Sequence, residues 1–199
     1  MRKKLQVYIS STYADLIEER HAAAEAILKA GHIPAGIELY HDETQMGIIK
    51  RWIDESDVYI LILGGFYGSM LPDESKSYTH WEYDYAGEIG KPRFAFVVTD
   101  EALRRLPYDF VTMENYQKFQ EFKQSVSEEI PIFYAEDERH IKLVIHDKLP
   151  EYAKREDLYG WVSGKDIPDV QKLRKENASL LRENAKLNAE LEKNKRANT

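Results

Sequence analysis

The apolar positions of this chain fall into two alternating kinds of segment. Short runs rich in branched and aromatic residues occur at 5–10, 32–40, 57–63, 93–98 and 130–134, and each reads as a strand. The run at 57–63 (Asp-Val-Tyr-Ile-Leu-Ile-Leu) is almost continuously apolar, as befits a central parallel strand covered on both faces. Between the runs, apolar residues recur at helical spacing. Leu16, Ala23, Ala24 and Ile27 mark a helix over 13–30, ended by Gly31. Ile48, Ile49, Trp52 and Ile53 mark one over 44–55, and a third opens within 77–86 and stops at Gly90-Lys91-Pro92. Residues 100–129 read as mostly helical, with Phe119 and Phe122 as buried anchors. Ile141, Val144, Ile145 and Leu149 mark a helix over 137–154.

Strict alternation of strands and helices predicts an α/β fold with a five-stranded parallel sheet flanked by helices. The expected strand order is flavodoxin-like, 2-1-3-4-5, over a domain spanning 1–154. In that order the chain reverses direction between the first and third strands. The ends of those strands, Ser10-Ser11-Thr12 and Gly64-Gly65, then face each other across a crevice where ligands bind.

Residues 155–168, with Gly160, Gly164 and Pro168, read as a linker. Beyond it, over 169–199, Leu173, Leu180 and Leu187 are seven apart, and Val170, Asn177, Asn184 and Leu191 fill the alternate heptad position. This is a coiled-coil seam, and asparagine at that position favours in-register, parallel pairing. A homo-oligomer, with a parallel dimer favoured, is the expectation.

The net charge is −7, unevenly spread: residues 170–199 carry eight Lys/Arg against four Asp/Glu, leaving 1–169 at −11. An acidic body does not suit nucleic acid, which needs basic faces to neutralise phosphates. The absence of cysteine excludes disulfides, thiolate metal sites and cysteine nucleophiles. The scattered histidines predict no metal site, and no apolar run reaches the roughly 18 residues of a membrane span. A cytoplasmic protein without membrane contact is expected.

Candidate chemistry gathers at the predicted crevice. Glu82 lies in the first turns of the helix that follows the third strand, as a catalytic carboxylate would. A plainer alternative is that Thr79-X-X-Glu82 is a capping box. Thr12-X-X-Asp15 has the same spacing and reads as a cap of the first helix. Ser10, Ser11 and Thr12 are positioned for phosphate oxygens, or for tying the strand end to the helix. Gly64-Gly65-Phe66-Tyr67-Gly68-Ser69 lacks the lysine of a P-loop, so it reads as a turn or as a ligand contact. Asp73 and Glu74 in the following stretch repel pyrophosphate. Trp81 reads as core or interface, or as a stacking platform. Arg20 is within reach of a phosphate at the crevice, but pairing along its helix with Glu19 or Glu25 is the expectation.

Several pieces together resemble a known pattern. They are Ile9-Ser10-Ser11-Thr12-Tyr13, Gly65-Phe66-Tyr67-Gly68-Ser69, Ser77-Tyr78-Thr79 followed by Glu82-Tyr83, Gly90-Lys91-Pro92 and Tyr159-Gly160-Trp161-Val162. The chain resembles Toll/interleukin-1 receptor (TIR) domains, and more closely a bacterial TIR-like domain of unknown function often found at the N-terminus of STAND-type NTPases. The resemblance implies a TIR-like effector or signalling protein of bacterial defence against phage or stress. It implies NAD or a related nucleotide as substrate rather than as resident cofactor. Glu82 takes the place of the glutamate that cleaves the N-glycosidic bond. Ser10, Ser11, Thr12, Tyr13, Gly64, Gly65, Tyr67, Ser77 and Trp81 become candidate nucleotide contacts. A non-catalytic scaffold or nucleotide sensor is an alternative. So is a nucleoside deoxyribosyltransferase-like enzyme, which the strand–loop–glutamate–helix arrangement also resembles.

Overall fold

Every side chain of strand β3 (Val58–Leu63) is buried, the signature of a strand with neighbours on both edges and helices on both faces. In the computed structural model, which describes residues 3–36, 46–105, 115–164 and 169–197, β3 lies at the centre of a five-stranded sheet. The order is β2-β1-β3-β4-β5, with β1 at Gln6–Ser11, β2 at Ile33–Ala35, β4 at Arg93–Val98 and β5 at Ile132–Ala135. All four pairings are parallel. The expected flavodoxin-like order and the reversal between β1 and β3 are both present.

Because successive strand residues point to opposite faces, the sheet separates two apolar layers. Val7, Ile9, Val58, Ile60, Ile62, Phe94 and Phe96 pack on one face against helices α1 (Ile17–Lys29) and α6 (Glu138–Ala153). Tyr8, Tyr59, Leu61, Leu63, Ala95 and Val97 face α2 (Met46–Glu55), α3 (Tyr78–Glu88) and α5 (Tyr116–Glu129). Phe119 and Phe122 are buried in that second layer, as their spacing suggested. A short helix α4 (Asp100–Leu103) follows β4, and the parts of the expected strand at 32–40 and helices at 44–55 and 100–129 that fall in 37–45 and 106–114 lie outside the described residues.

The first helix begins at Ile17, later than its periodicity implied. Its N-cap is Leu16, whose side chain caps nothing, so Thr12 and Asp15 do not form a capping box there. The expected linker also begins later. Residues up to Trp161 belong to the compact α/β unit. Leu158 is buried in the first apolar layer. Lys4 and Trp161 form an antiparallel bridge, with N–H···O distances of 2.8 and 2.7 Å. The Gly160 N–H donates to Asp57 Oδ1 at 2.9 Å.

The second unit holds helix α7 (Val170–Ala197). Along it Val170, Leu173, Leu180, Leu187 and Leu191 are each between 50% and 56% exposed, and Asn177 and Asn184 are exposed as well. Residues 165–168 of the expected linker lie outside the described residues.

Gly160 has φ +63, and a Cβ added there would stand 2.9 Å from the Lys4 carbonyl oxygen. Gly160→Ala should therefore lower the free energy of unfolding by about 1–3 kcal/mol. Urea unfolding followed by tryptophan fluorescence measures this, and an unchanged midpoint would mean that Gly160 is not held against Lys4.

Candidate functional site

The crevice forms where β1 and β3 end. From β1 the chain runs through Ser10, Ser11 and Thr12 into the turn before α1; from β3 it runs through Gly64-Gly65 toward α3. Asp15 ties the two sides together. Its Oδ2 accepts the backbone N–H of Gly65 at 3.0 Å and that of Phe66 at 3.2 Å. Burial pushes the Asp15 carboxyl up from its ordinary value, and the Thr12 hydroxyl and those backbone donors partly offset the shift. Gly64 leaves room for this clasp, because a Cβ there would stand 2.6 Å from Asp15 Oδ2 and 2.7 Å from Leu16 Cδ2.

Glu82 is 3% exposed and accepts a 2.5 Å hydrogen bond from the Ser10 hydroxyl. That bond joins α3 to the end of β1. Tyr8 and Tyr59 stack in parallel on the same sheet face, with ring centroids 5.7 Å apart. Burial first, and the nearby Glu82 charge second, push both phenols well above the ordinary tyrosine value. Helix α3 is capped by Ser77, whose Oγ accepts the His80 N–H at 3.2 Å. Thr79 and Glu82 both lie inside the helix, so the capping-box alternative for Glu82 does not hold.

Above this carboxylate lies an open cleft of about 450 Å³. Thr12, Tyr13, Phe66, Tyr67, Ser69, Tyr78 and Thr79 line it, with Asn115 at the start of α5. Thr79 is one helical turn from Glu82, a rise of about 4.5 Å, so the carboxylate sits below the cleft lining rather than in it. Tyr13 is 54% exposed at the mouth. The Tyr67 hydroxyl and His80 Nδ1 share a 2.8 Å hydrogen bond. His80 stacks on Phe122 at 4.1 Å, and its Nε2 lies 3.6 Å from Asp84, which pairs with Lys76. Burial pushes the His80 imidazole below its ordinary value, and the Asp84 charge opposes this.

Of the candidate nucleotide contacts, Thr12, Tyr13 and Tyr67 line the cleft, as do Phe66, Gly68 and Ser69 of the same loop, and Ser10 binds Glu82. The rest are elsewhere or otherwise engaged. Ser11 donates to the Thr12 carbonyl at 2.8 Å and accepts from Arg20 Nη1 at 2.7 Å. Ser77 is fully buried as a cap, and Gly64 and Gly65 are packed against Asp15. Trp81 stacks on Tyr85 at 6.0 Å beside Lys50 and does not line the cleft. Arg20 does not take its expected helical partners; it turns inward to Ser11 and to the Gly36 carbonyl at 3.0 Å. Asp15 and His80 are the polar groups whose roles the sequence reading missed. Asp15 carried a signal in its spacing from Thr12, but the carboxylate is spent across the crevice.

Residues 6–150 match the family described as Domain of unknown function (DUF4062). The chain belongs to that family. Among curated proteins none matches the sequence. A solved structure, that of a mutant flavo di-iron protein from Thermotoga maritima, is 19% identical with a TM-score of 0.45. The match covers 76% of this chain and 37% of that one. Among the described residues no group of three or more His, Asp or Glu is arranged to hold a metal, and no helix is long and apolar enough to cross a membrane.

Replacing Asp15 by Ala leaves two backbone donors without their acceptor. The expected loss is about 1–3 kcal/mol of stability, with faster amide exchange at Gly65 and Phe66. Asp15→Asn keeps an acceptor oxygen and should lose less. Unchanged exchange at both amides in Asp15→Ala would show that the carboxylate does not hold the loop.

Proposed function

We propose that this protein is a TIR-like effector or signalling protein that cleaves the N-glycosidic bond of NAD or a related nucleotide when assembled. One observation carries the reading: a buried carboxylate, Glu82, bound to Ser10 one helical turn beneath an open cleft at the switch point of the sheet. A capping role does not account for it. The motif resemblance supports the same reading and the setting, bacterial defence in the cytoplasm.

The chemistry suits a single anion. The C1′–N bond breaks with its electron pair passing to the pyridinium nitrogen, which leaves as neutral nicotinamide and needs no general acid. The oxygen of a water molecule bonds to C1′, and one proton goes to solvent. Positive charge develops on the ribose in the transition state, and a fixed negative charge below the cleft lowers its energy. A desolvated site strengthens that interaction.

A second reading, a non-catalytic scaffold, is favoured by the near-complete burial of Glu82 and its bond to Ser10. The two readings part on one assay. The full-length protein should release nicotinamide from NAD, and Glu82→Gln should release it about 10²–10³-fold more slowly. Equal rates would remove Glu82 from the reaction. No release by the unaltered protein would favour the scaffold.

Assembly rests on α7, whose half-exposed seam matches that of a parallel two-stranded coiled coil in which a second copy covers the leucines. Leu180→Glu with Leu187→Glu should convert a dimer to a monomer in sedimentation velocity and lower nicotinamide release. A dimer that survives both changes would place the interface elsewhere.

A further inference from the structure

We propose that the N-terminus of α3 and the loop facing it form a phosphate subsite, which holds the 5′-phosphate of the ribose whose glycosidic bond lies toward Glu82. The proposal rests on the reading of glycosidic cleavage at Glu82 and names the part of the nucleotide that the cleft grips.

Thr79 is the central group. Three buried side-chain atoms of the described residues are sealed from solvent without a partner: Thr12 Oγ1, Asp15 Oδ1 and the Tyr59 hydroxyl. The Thr79 hydroxyl is not sealed in this way, and it too has no hydrogen-bond partner among the described residues. The residue lines the cleft and is only 4% exposed, so its hydroxyl opens into the cleft. A threonine within a helix commonly bonds to the carbonyl four residues back. Here that residue, Ser75, precedes the helix.

Backbone donors stand around this hydroxyl. At the start of α3 the Tyr78 N–H donates to the Ser69 carbonyl at 3.0 Å, and the His80 N–H donates to Ser77 Oγ at 3.2 Å. The Thr79 N–H between them has no acceptor among the described residues. The N–H groups of Gly68 and Ser69, on the loop that lines the same cleft, have none either. That loop comes close because Gly68 has no side chain. Its φ is +96, and a Cβ there would stand 3.1 Å from Thr12 Cγ2 and 3.4 Å from Thr79 Oγ1. A helix N-terminus with an unpaired N–H and a hydroxyl beside it suits a phosphoryl oxygen.

The charges around the cleft fit this placement. The Arg20 guanidinium stands over the Tyr13 ring, 5.9 Å from its centroid, and fixes a positive charge beside the cleft. Asp15 Oδ2 is turned to the Gly65 and Phe66 N–H groups. Asp73 and Glu74 are exposed beyond the Met70–Ser77 bridge, where salt screens them. Glu82 is one helical turn from Thr79, a rise of about 4.5 Å. A ribose bridges that step. With its 5′-phosphate at Thr79, its anomeric carbon lies toward Glu82, where positive charge develops.

The test is calorimetric titration of the full-length Glu82→Gln protein, chosen so that the ligand is not consumed, with nicotinamide mononucleotide and nicotinamide riboside. The mononucleotide should bind about tenfold or more tighter, as expected of hydrogen bonds to a charged group. Inorganic phosphate should compete with the mononucleotide. Adding Thr79→Val keeps the side-chain shape and should weaken the mononucleotide about tenfold while leaving the riboside nearly unchanged. Thr79→Ser keeps the hydroxyl and should bind the mononucleotide nearly as the parent does. Thermal melting checks that each variant folds; if Thr79→Val does not, the order of the two ligands and the phosphate competition decide. Equal affinity for the two ligands, equal weakening of both by Thr79→Val, or no binding by either would overturn the proposal. The binding order does not depend on turnover. The expected order without nicotinamide release by the unaltered protein would sink the cleavage reading alone, and release with the riboside preferred would sink the phosphate subsite alone.

Discussion

A carboxylate taken out of water costs several kcal/mol unless hydrogen bonds replace its solvent. This chain buries two at one crevice, Asp15 at 6% exposure and Glu82 at 3%. Asp15 offsets part of the cost through Oδ2, which accepts backbone donors from the loop after β3, and Glu82 accepts the hydroxyl at the end of β1. Each bond therefore joins one side of the crevice to the other. The parallel sheet makes this possible, because β1 and β3 end side by side in register, with Ser10 opposite Leu61. Both bonds tie together the segments that flank the cleft.

The two carboxylates differ in what is left for chemistry. Asp15 is committed to backbone groups that would otherwise be unpaired, so its role is to hold the loop. Glu82 has a side-chain partner on a neighbouring strand and lies beneath a solvent-open space. Beside that space the Arg20 guanidinium stands over the Tyr13 ring, 5.9 Å from its centroid. The exposed leucines of α7 belong to a different unit from the residues that line the cleft.

Much of the fold was legible because parallel strands buried on both faces leave continuous apolar runs, as at 57–63, and amphipathic helices separate them. The site was legible in outline, since the crevice follows from strand order alone. Its details were not, for local reasons. Thr12-X-X-Asp15 and Thr79-X-X-Glu82 have the spacing of capping boxes, yet Ser77 caps α3 and Asp15 reaches a loop some 50 residues away. Trp81 adjoins Glu82 in sequence, but neighbouring helix positions are turned about 100° apart, and the indole packs with Tyr85 instead. The glycines of 155–168 looked like linker, whereas Gly160 supplies the positive φ that lets Trp161 pair with Lys4. Nothing in periodicity tells where a carboxylate or a guanidinium will find its partner across the fold.

The central claim is that the cleft above Glu82 receives the glycosidic end of a ligand. A crystal structure of the full-length Glu82→Gln protein soaked with NAD tests it most directly. The account predicts the nicotinamide ribose in the cleft beside Thr79, with its anomeric carbon toward residue 82. A ring seated elsewhere on the protein, or an empty cleft at saturating ligand, would contradict it.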